Sequence, residues 1–202
     1  IGETLGREPG IRSAQFGKAV GRPVIHGLGG PRVRIMEDRI DTLDVSVTSA
    51  DHAVSVDPFI AERIEVLKGP AAITQGPYTI GGALNMISVP IPGVASGEVT
   101  LEAGEDSTYR LHAHYGARTD AGFGYLVETH QWQSDGFQSI DRGGDTGLDV
   151  EDYTLKLSYA PDTSNHRVEL KLQYAEQDSD QTYLGLTDGD FKDDAFRRYG
   201  LS

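Results

Sequence analysis

The stretch ERIEVLKGPAAITQGPYTIGGALNMIS, residues 62–88, decides how this chain is read. It opens with charged and apolar side chains in alternation, breaks at Gly69-Pro70, Gly76-Pro77 and Gly81-Gly82, and resumes with Ala83, Leu84, Met86 and Ile87. Short strands joined by stiff hinges are the expectation. Pro70 and Pro77 fix φ and end strand pairing, whereas Gly81 and Gly82 permit backbone angles or close approaches that a side chain blocks. Just upstream, VDPFIAERIEVL places Asp57 as an N-cap and Pro58 at the first helical position, ahead of a strand over residues 64–67.

Working back from this stretch, residues 1–92 share its grammar. PVIHGLGG, RVRIMEDRI and IGGALNMIS are short, irregular apolar segments among many glycines and prolines, which reads as a compact mixed α/β domain with small strands. From Gly97 the grammar changes to strict alternation. Val99, Leu101 and Ala103 alternate with Thr100 and Glu102, and Tyr109, Leu111, Ala113 and Tyr115 with Arg110, His112 and His114. The pattern continues through Tyr125, Val127 and Thr129, then Tyr153, Leu155, Leu157 and Tyr159, then Val168, Leu170, Leu172 and Tyr174. A period of two puts the apolar side chains of these five strands on one face and the charged ones on the other. A transmembrane barrel wall and a soluble sheet resting on a core are both written this way.

The connections favour the barrel. Tight turns at residues 118–122 and 161–166 are expected at one end of the strands, and long polar loops over residues 133–149 and from residue 177 onward at the other. Trp132, Tyr115, Tyr159 and Tyr174 stand at strand ends, where an interfacial aromatic girdle is expected. Five strands do not close a barrel of useful bore, so the chain is expected to be a piece of a larger protein.

Composition narrows the partners. The 202 residues carry 18 Lys+Arg against 31 Asp+Glu, a formal charge of −13, which repels a phosphate backbone and sets nucleic acid aside. Without cysteine there is neither a disulfide framework nor a thiolate metal site. IGETLGREPGIRS shows no signal-peptide pattern, and no apolar run is long enough for a transmembrane helix, which says nothing against a barrel. LKGPAAITQGP and GLGGPR lack the Gly-Lys-Ser/Thr ending and the helix pattern of nucleotide sites, and there is neither a nucleophile elbow nor HExxH. No enzymatic activity and no cofactor are expected.

Three segments together, REPGIRS near the start, PVIHGLGGPRVRIMEDRI at 23–40 and AERIEVLKGPAAITQGPYTIGGALNMIS at 61–88, resemble the plug domain of TonB-dependent outer-membrane receptors. The alternating half looks like the opening strands of that family's barrel, which has about 22 strands. The resemblance implies an α+β plug over residues 1–92, followed over 97–202 by antiparallel transmembrane β-barrel strands, part of the larger barrel. It implies residence in the outer membrane of a Gram-negative bacterium, contact with outer-membrane lipid, coupling to a TonB-ExbB-ExbD complex, and import of a scarce ligand. SDQTYLGLTDGDFKDDAFRRYGLS, 179–202, resembles the third extracellular loop of ferric citrate receptors, so a ferric chelate (ferric citrate or another siderophore) ranks first. Zinc, cobalamin or a saccharide, and outside the family a secreted soluble β-rich binding module, are the alternatives. His26 in place of the usual arginine, and Glu37-Asp38-Arg39 in place of an Asp-Gly turn, depart from the family pattern.

Site residues follow from the same resemblance. Arg32, Arg34, Arg63, Glu65, Lys68, Gly69, Pro70, Gly81 and Gly82 are the plug signature and its expected contacts with the barrel wall. Within it, the plug's Arg and Glu (Arg63 and Glu65 here) are expected to pair with barrel carboxylates. Arg197 and Arg198 are candidates for an anionic chelate through charge-assisted bonds. SADHAVSVDP resembles a zinc-receptor segment and offers Asp51, His52 and Asp57 as metal ligands. His112, His114 and His130 fall on the polar face, where a wet lumen requires no ligand.

Overall fold

The structure, a computed structural model, describes residues 1–15, 21–42, 54, 56–136, 146–161, 163 and 165–179. The chain divides into two units, Ile1–Val89 and Pro90–Ser202.

The first unit is built on a four-stranded sheet of order β4-β3-β6-β5, made from β3 (Val33–Glu37), β4 (Ile40–Asp41), β5 (Ala61–Leu67) and β6 (Gly82–Ser88). β3 runs parallel to β6, and β4 and β5 are antiparallel to their neighbours. A two-stranded ribbon of β1 (Ile11–Gln15) and β2 (Gly21–Ile25) and two single-turn helices, α1 (Gly2–Leu5) and α2 (Pro70–Ile73), complete it. The expected passage at VDPF is present: Asp57 accepts a bond from the Phe59 N–H at 2.8 Å and caps a 3-10 turn over Pro58–Ile60. The strand then begins three residues earlier than the expected 64, at Ala61, and carries a register shift between Ala61 and Arg63.

β6 is the spine. Ile25, Leu84 and Met86 are fully buried in one cluster with Leu5, Ile11, Val33, Ile35 and Val56, while Ala83 packs on the opposite side with Met36, Ala72 and the half-buried Leu67. A strand covered on both faces leaves no room for side chains at its entry. At Gly82 φ is +148°, and a Cβ there meets the Ile25 side chain at 2.7 Å and the Leu67 carbonyl at 2.9 Å. Gly69 turns the chain out of β5 with φ 62° and ψ −144°, an arrangement that glycine alone adopts at little cost, and Pro70 then opens α2.

The second unit is a five-stranded antiparallel sheet in sequence order: β7 (Ser96–Ala103), β8 (Tyr109–Arg118), β9 (Phe123–Ser134), β10 (Leu148–Tyr159) and β11 (Val168–Ser179). All five strands expected from the alternation are present, and the two faces are inverted relative to a soluble sheet. Val127, Tyr153, Tyr159, Leu170, Leu172 and Tyr174 are exposed, whereas Glu128, His130, Asp152, Thr154, Lys156 and Ser158 are buried. In water that distribution costs free energy on both faces, by exposing apolar area and by burying charge. In a barrel wall it is the stable one.

Two expectations are corrected. Connections are not sorted strictly by length: at the end of the sheet with the long 135–147 connection, β7 and β8 are joined tightly through residues 104–108, with Asp106 and Ser107 both at positive φ. At the other end a tight turn over residues 119–122 is accompanied by the longer 160–167 connection. Trp132 does not join an outward aromatic girdle. It shares the parity of the buried His130 and Ser134, and the Arg110 guanidinium lies 4.0 Å over its ring. Period-two counting from Leu126, an apolar residue on the polar face, shows why strand-end position alone misplaces it.

Two outcomes follow. Gly82→Ala costs about 1–3 kcal/mol or more of first-unit stability, read as a drop in its unfolding midpoint, because a strained φ is compounded by two contacts shorter than van der Waals distance. Leu155→Arg, on the exposed apolar face, lowers the stability of the protein folded into lipid by about 2–4 kcal/mol in a denaturant titration.

Candidate functional site

Two of the signature residues, Arg63 and Glu65, belong to a polar network along β5 and β6. Arg63 and Glu65 point the same way on β5 and pair with each other at 2.9 Å. The second Glu65 oxygen accepts from Asn85 Nδ2 at 3.0 Å. Asn85 is buried on β6, and its Oδ1 accepts the Arg39 N–H at 2.7 Å. That bond stabilises an unusual hairpin, since Asp38 and Arg39, which join β3 to β4, both have positive φ, at 50° and 68°. Two consecutive left-handed residues are ordinarily Asn-Gly or Asp-Gly. Here the Asp38 carboxylate accepts from both the N–H and the hydroxyl of Ser88, and the Asp38 N–H donates to the Met86 carbonyl at 2.8 Å.

A second bracket forms around Arg34. Its Nε donates to Asp41 at 2.9 Å and its Nη1 to the Gln75 carbonyl, so one guanidinium ties β3 to β4 and to the segment after α2. Gly76 leaves room for that guanidinium, since a Cβ there meets Nη1 at 2.6 Å. Lys68 donates to the Pro9 carbonyl and holds the N-terminal segment against the end of β5. Arg32 closes a 3-10 turn over Gly30–Arg32, and its carbonyl accepts the Gly81 N–H at 2.8 Å.

The expected site residues therefore fall into three groups. Those of the plug signature serve separate contacts inside the first unit: Arg63 and Glu65 share one network, Arg34 forms its own bracket, Lys68 holds Pro9, the Arg32 carbonyl accepts from Gly81, Gly82 enters β6, and Gly69-Pro70 open α2. Asp57 uses its carboxylate as a cap, while Asp51, His52, Arg197 and Arg198 lie outside the described residues. Among the described residues no group of three His, Asp or Glu side chains has metal-holding geometry. Sequence reading missed Asn85, Asp41 and Ser88 as the partners that organise the network. The only signal for them was an Asp-Arg pair where a hairpin asks for glycine, which requires a compensating acceptor nearby.

The polar face of the second unit carries a titratable row. His112 Nε2 and Glu128 Oε1 are 2.7 Å apart across β8 and β9, with the His114 ring 5.6 Å and the His130 ring 6.4 Å from His112. The arrangement is suited to holding charged groups in place.

Glu65 supplies a pH test. The bond from Asn85, followed by the nearby Arg63 charge, holds its carboxyl below the ordinary range despite an opposing contribution from burial. A depressed folded-state value contributes stability that is present above the unfolded value and is lost as pH falls through the folded one. Asn85→Leu removes the main cause, so the Glu65 titration followed by NMR moves upward and this share of the acid dependence disappears. It also leaves the Arg39 N–H without its acceptor, at about 1–3 kcal/mol.

These features have close parallels. The family of the TonB-dependent Receptor Plug Domain matches residues 1–83. The chain is 27% identical over 169 residues to the vitamin B12 transporter BtuB of Photobacterium profundum, covering 76% of this chain and 28% of that protein. The siderophore receptor PirA of Acinetobacter baumannii superposes with a TM-score of 0.74 at 18% identity, covering 98% of this chain and 32% of that one. The ferric citrate transporter FecA superposes at 0.72 with 21% identity, covering 90% and 29%. The chain thus spans less than a third of the length of each of these proteins. Residues 1–83 match the TonB-dependent receptor plug domain family, and with the strands that follow, the fold is that of the plug and the opening barrel strands of TonB-dependent outer-membrane receptors.

Proposed function

We propose that the chain is the plug, residues 1–92, and the first barrel strands, within residues 97–202, of a receptor that imports a ferric chelate across the outer membrane without chemistry of its own. The observation that carries the import reading is the coexistence of a globular unit matching the plug family with a sheet whose charged side chains are buried and whose apolar ones are exposed. Energy would come from a TonB-ExbB-ExbD complex acting on the plug. In this reading the Arg63–Glu65–Asn85 network and the Arg34 bracket keep the plug intact while it is held or displaced, and the Arg63 and Lys68 cations face carboxylates of the wall when it is seated.

The choice of a ferric chelate over other cargo is supported by the likeness of residues 179–202 to a ferric citrate receptor loop. It is also supported by the iron-related names of several structural neighbours, among them receptors for ferric enterobactin and pyoverdine. Cobalamin is the second reading, favoured by the likeness to a vitamin B12 transporter over most of the chain. An enzymatic role is disfavoured because the relatives and structural neighbours named above are transporters and receptors.

Cells lacking their own iron and cobalamin receptors, and expressing the full-length protein, separate these readings by uptake of radiolabelled ferric citrate, a ferric siderophore and cobalamin. The expected outcome is accumulation of an iron chelate that vanishes when TonB is deleted. Accumulation of cobalamin alone would transfer the assignment to the second reading, and uptake unaffected by TonB deletion would contradict energy coupling.

A further inference from the structure

The polar face of the second unit has a place that is neither polar nor filled by the side chains of its own strands. Gly116 on β8 and Gly124 on β9 stand on that face. Leu126, fully buried there, is the register partner of Gly116 and lies two residues from Gly124. Two absent side chains beside an apolar one make a notch, and the segment that precedes β7 sits in it. A Cβ added at Gly116 meets the Pro92 ring at 2.7 Å, besides the Tyr125 carbonyl at 2.6 Å. One added at Gly124 meets the Ile91 side chain at 2.9 Å, besides Ser158 Oγ at 2.7 Å. Ile91 is accordingly 7% exposed, whereas Val94, three residues on, is 77% exposed. Ile91 and Pro92 both belong to the second unit, so the notch and its occupant are parts of one body.

The sequence of the segment suits it to such a seat. In Val89-Pro90-Ile91-Pro92-Gly93 the two prolines fix φ, and each drives the residue before it, Val89 or Ile91, towards extended backbone. Neither proline has an N–H, so the segment is a poor continuation of β6 and a poor beginning of β7. A stiff, extended piece of chain has little conformational freedom to lose when Ile91 and Pro92 are seated.

Position along the chain gives the notch its consequence. β6 ends at Ser88 and β7 begins at Ser96. A chain first held at Ser96 would let the end of β6 travel through eight residues, roughly 26–29 Å at about 3.3–3.6 Å each. A chain held at Ile91 leaves three residues, or about 10 Å.

We propose that Ile91 and Pro92 are an anchor: seated in the glycine notch, they fix the chain to the wall ahead of its first strand and keep the end of β6 on a short leash while the rest of the plug is displaced. This rests on the reading of the first unit as a plug that moves, and adds which part of it stays. Displacement then runs from the N-terminal side. α1, β1 and β2 are free to leave, whereas the end of β6 stays within about 10 Å of Ile91.

The chain has no cysteine, so single thiols report on it directly. The full-length receptor, freed of any other cysteine, is reconstituted in phosphatidylcholine vesicles and carries Ile11→Cys in the buried cluster of the first unit, Ile91→Cys in the notch, or the exposed Val94→Cys as the unprotected reference. Reaction with a water-soluble maleimide is followed through a urea titration, with circular dichroism reporting the barrel sheet. Without urea the thiol at 91 is expected to react several-fold more slowly than that at 94. As urea rises, the thiol at 11 reaches the reference rate first, while that at 91 stays protected and the sheet signal persists. Pro92→Asp, which puts a charge against the notch, brings release of the thiol at 91 down to the urea concentration that releases 11; protection unchanged by Pro92→Asp contradicts the anchor. Release of 11 and 91 together, with the sheet signal intact, overturns the anchor and leaves the plug reading standing. Release of both only as the sheet signal is lost overturns the movable plug and the anchor with it. Pro92→Cys repeats the measurement at the second anchor residue should a thiol at 91 loosen the first.

Discussion

A backbone amide in hydrocarbon has no partner except another backbone amide, and the second unit is organised around that constraint. Every strand of β8–β10 is paired on both sides in register, and the side chains then have one remaining freedom, which face to take. The described arginines, histidines and lysines of these strands take one face, and the tyrosines, with the leucines other than Leu126 and Leu148, take the other. Burial of Lys156, Asp152 and Glu128 beside exposure of Leu170 and Leu172 is untenable for a sheet bathed in water. Once lipid covers the outward face and a polar interior receives the other, the same distribution is favourable. β7 and β11 each pair on one side only within this sheet, so the wall asks for further strands.

The first unit answers a different constraint with the same economy of parts. Its spine, β6, is covered on both faces, which leaves glycine as the residue that enters it at Gly82 and puts the buried amide of Asn85 at the junction of β3, β4 and β5. The hairpin at Asp38-Arg39 is locally unfavourable and survives because Asn85, Ser88 and the Met86 carbonyl supply its partners. Its stability is therefore tertiary, and a substitution two strands away is felt there.

Much of this was legible in sequence because it depends on periodicity and on hinge residues. Strict alternation from Val99 to Tyr174 located all five wall strands, and Gly69-Pro70 and Gly81-Gly82 located the ends of β5 and β6. What was not legible is what alternation does not encode. Trp132 stands at a strand end yet points inward, because parity and not position selects the face. The network around Asn85 joins residues 20 and 46 positions apart, a pairing that no local pattern reveals.

The central claim is that the outward face of the second unit belongs in lipid, and sedimentation tests it most directly. Residues 1–89 and the whole chain are compared in buffer with and without detergent. The account predicts a monodisperse first unit in plain buffer and a whole chain that is monodisperse only in detergent. A whole chain that sediments as a folded monomer in plain buffer would contradict it.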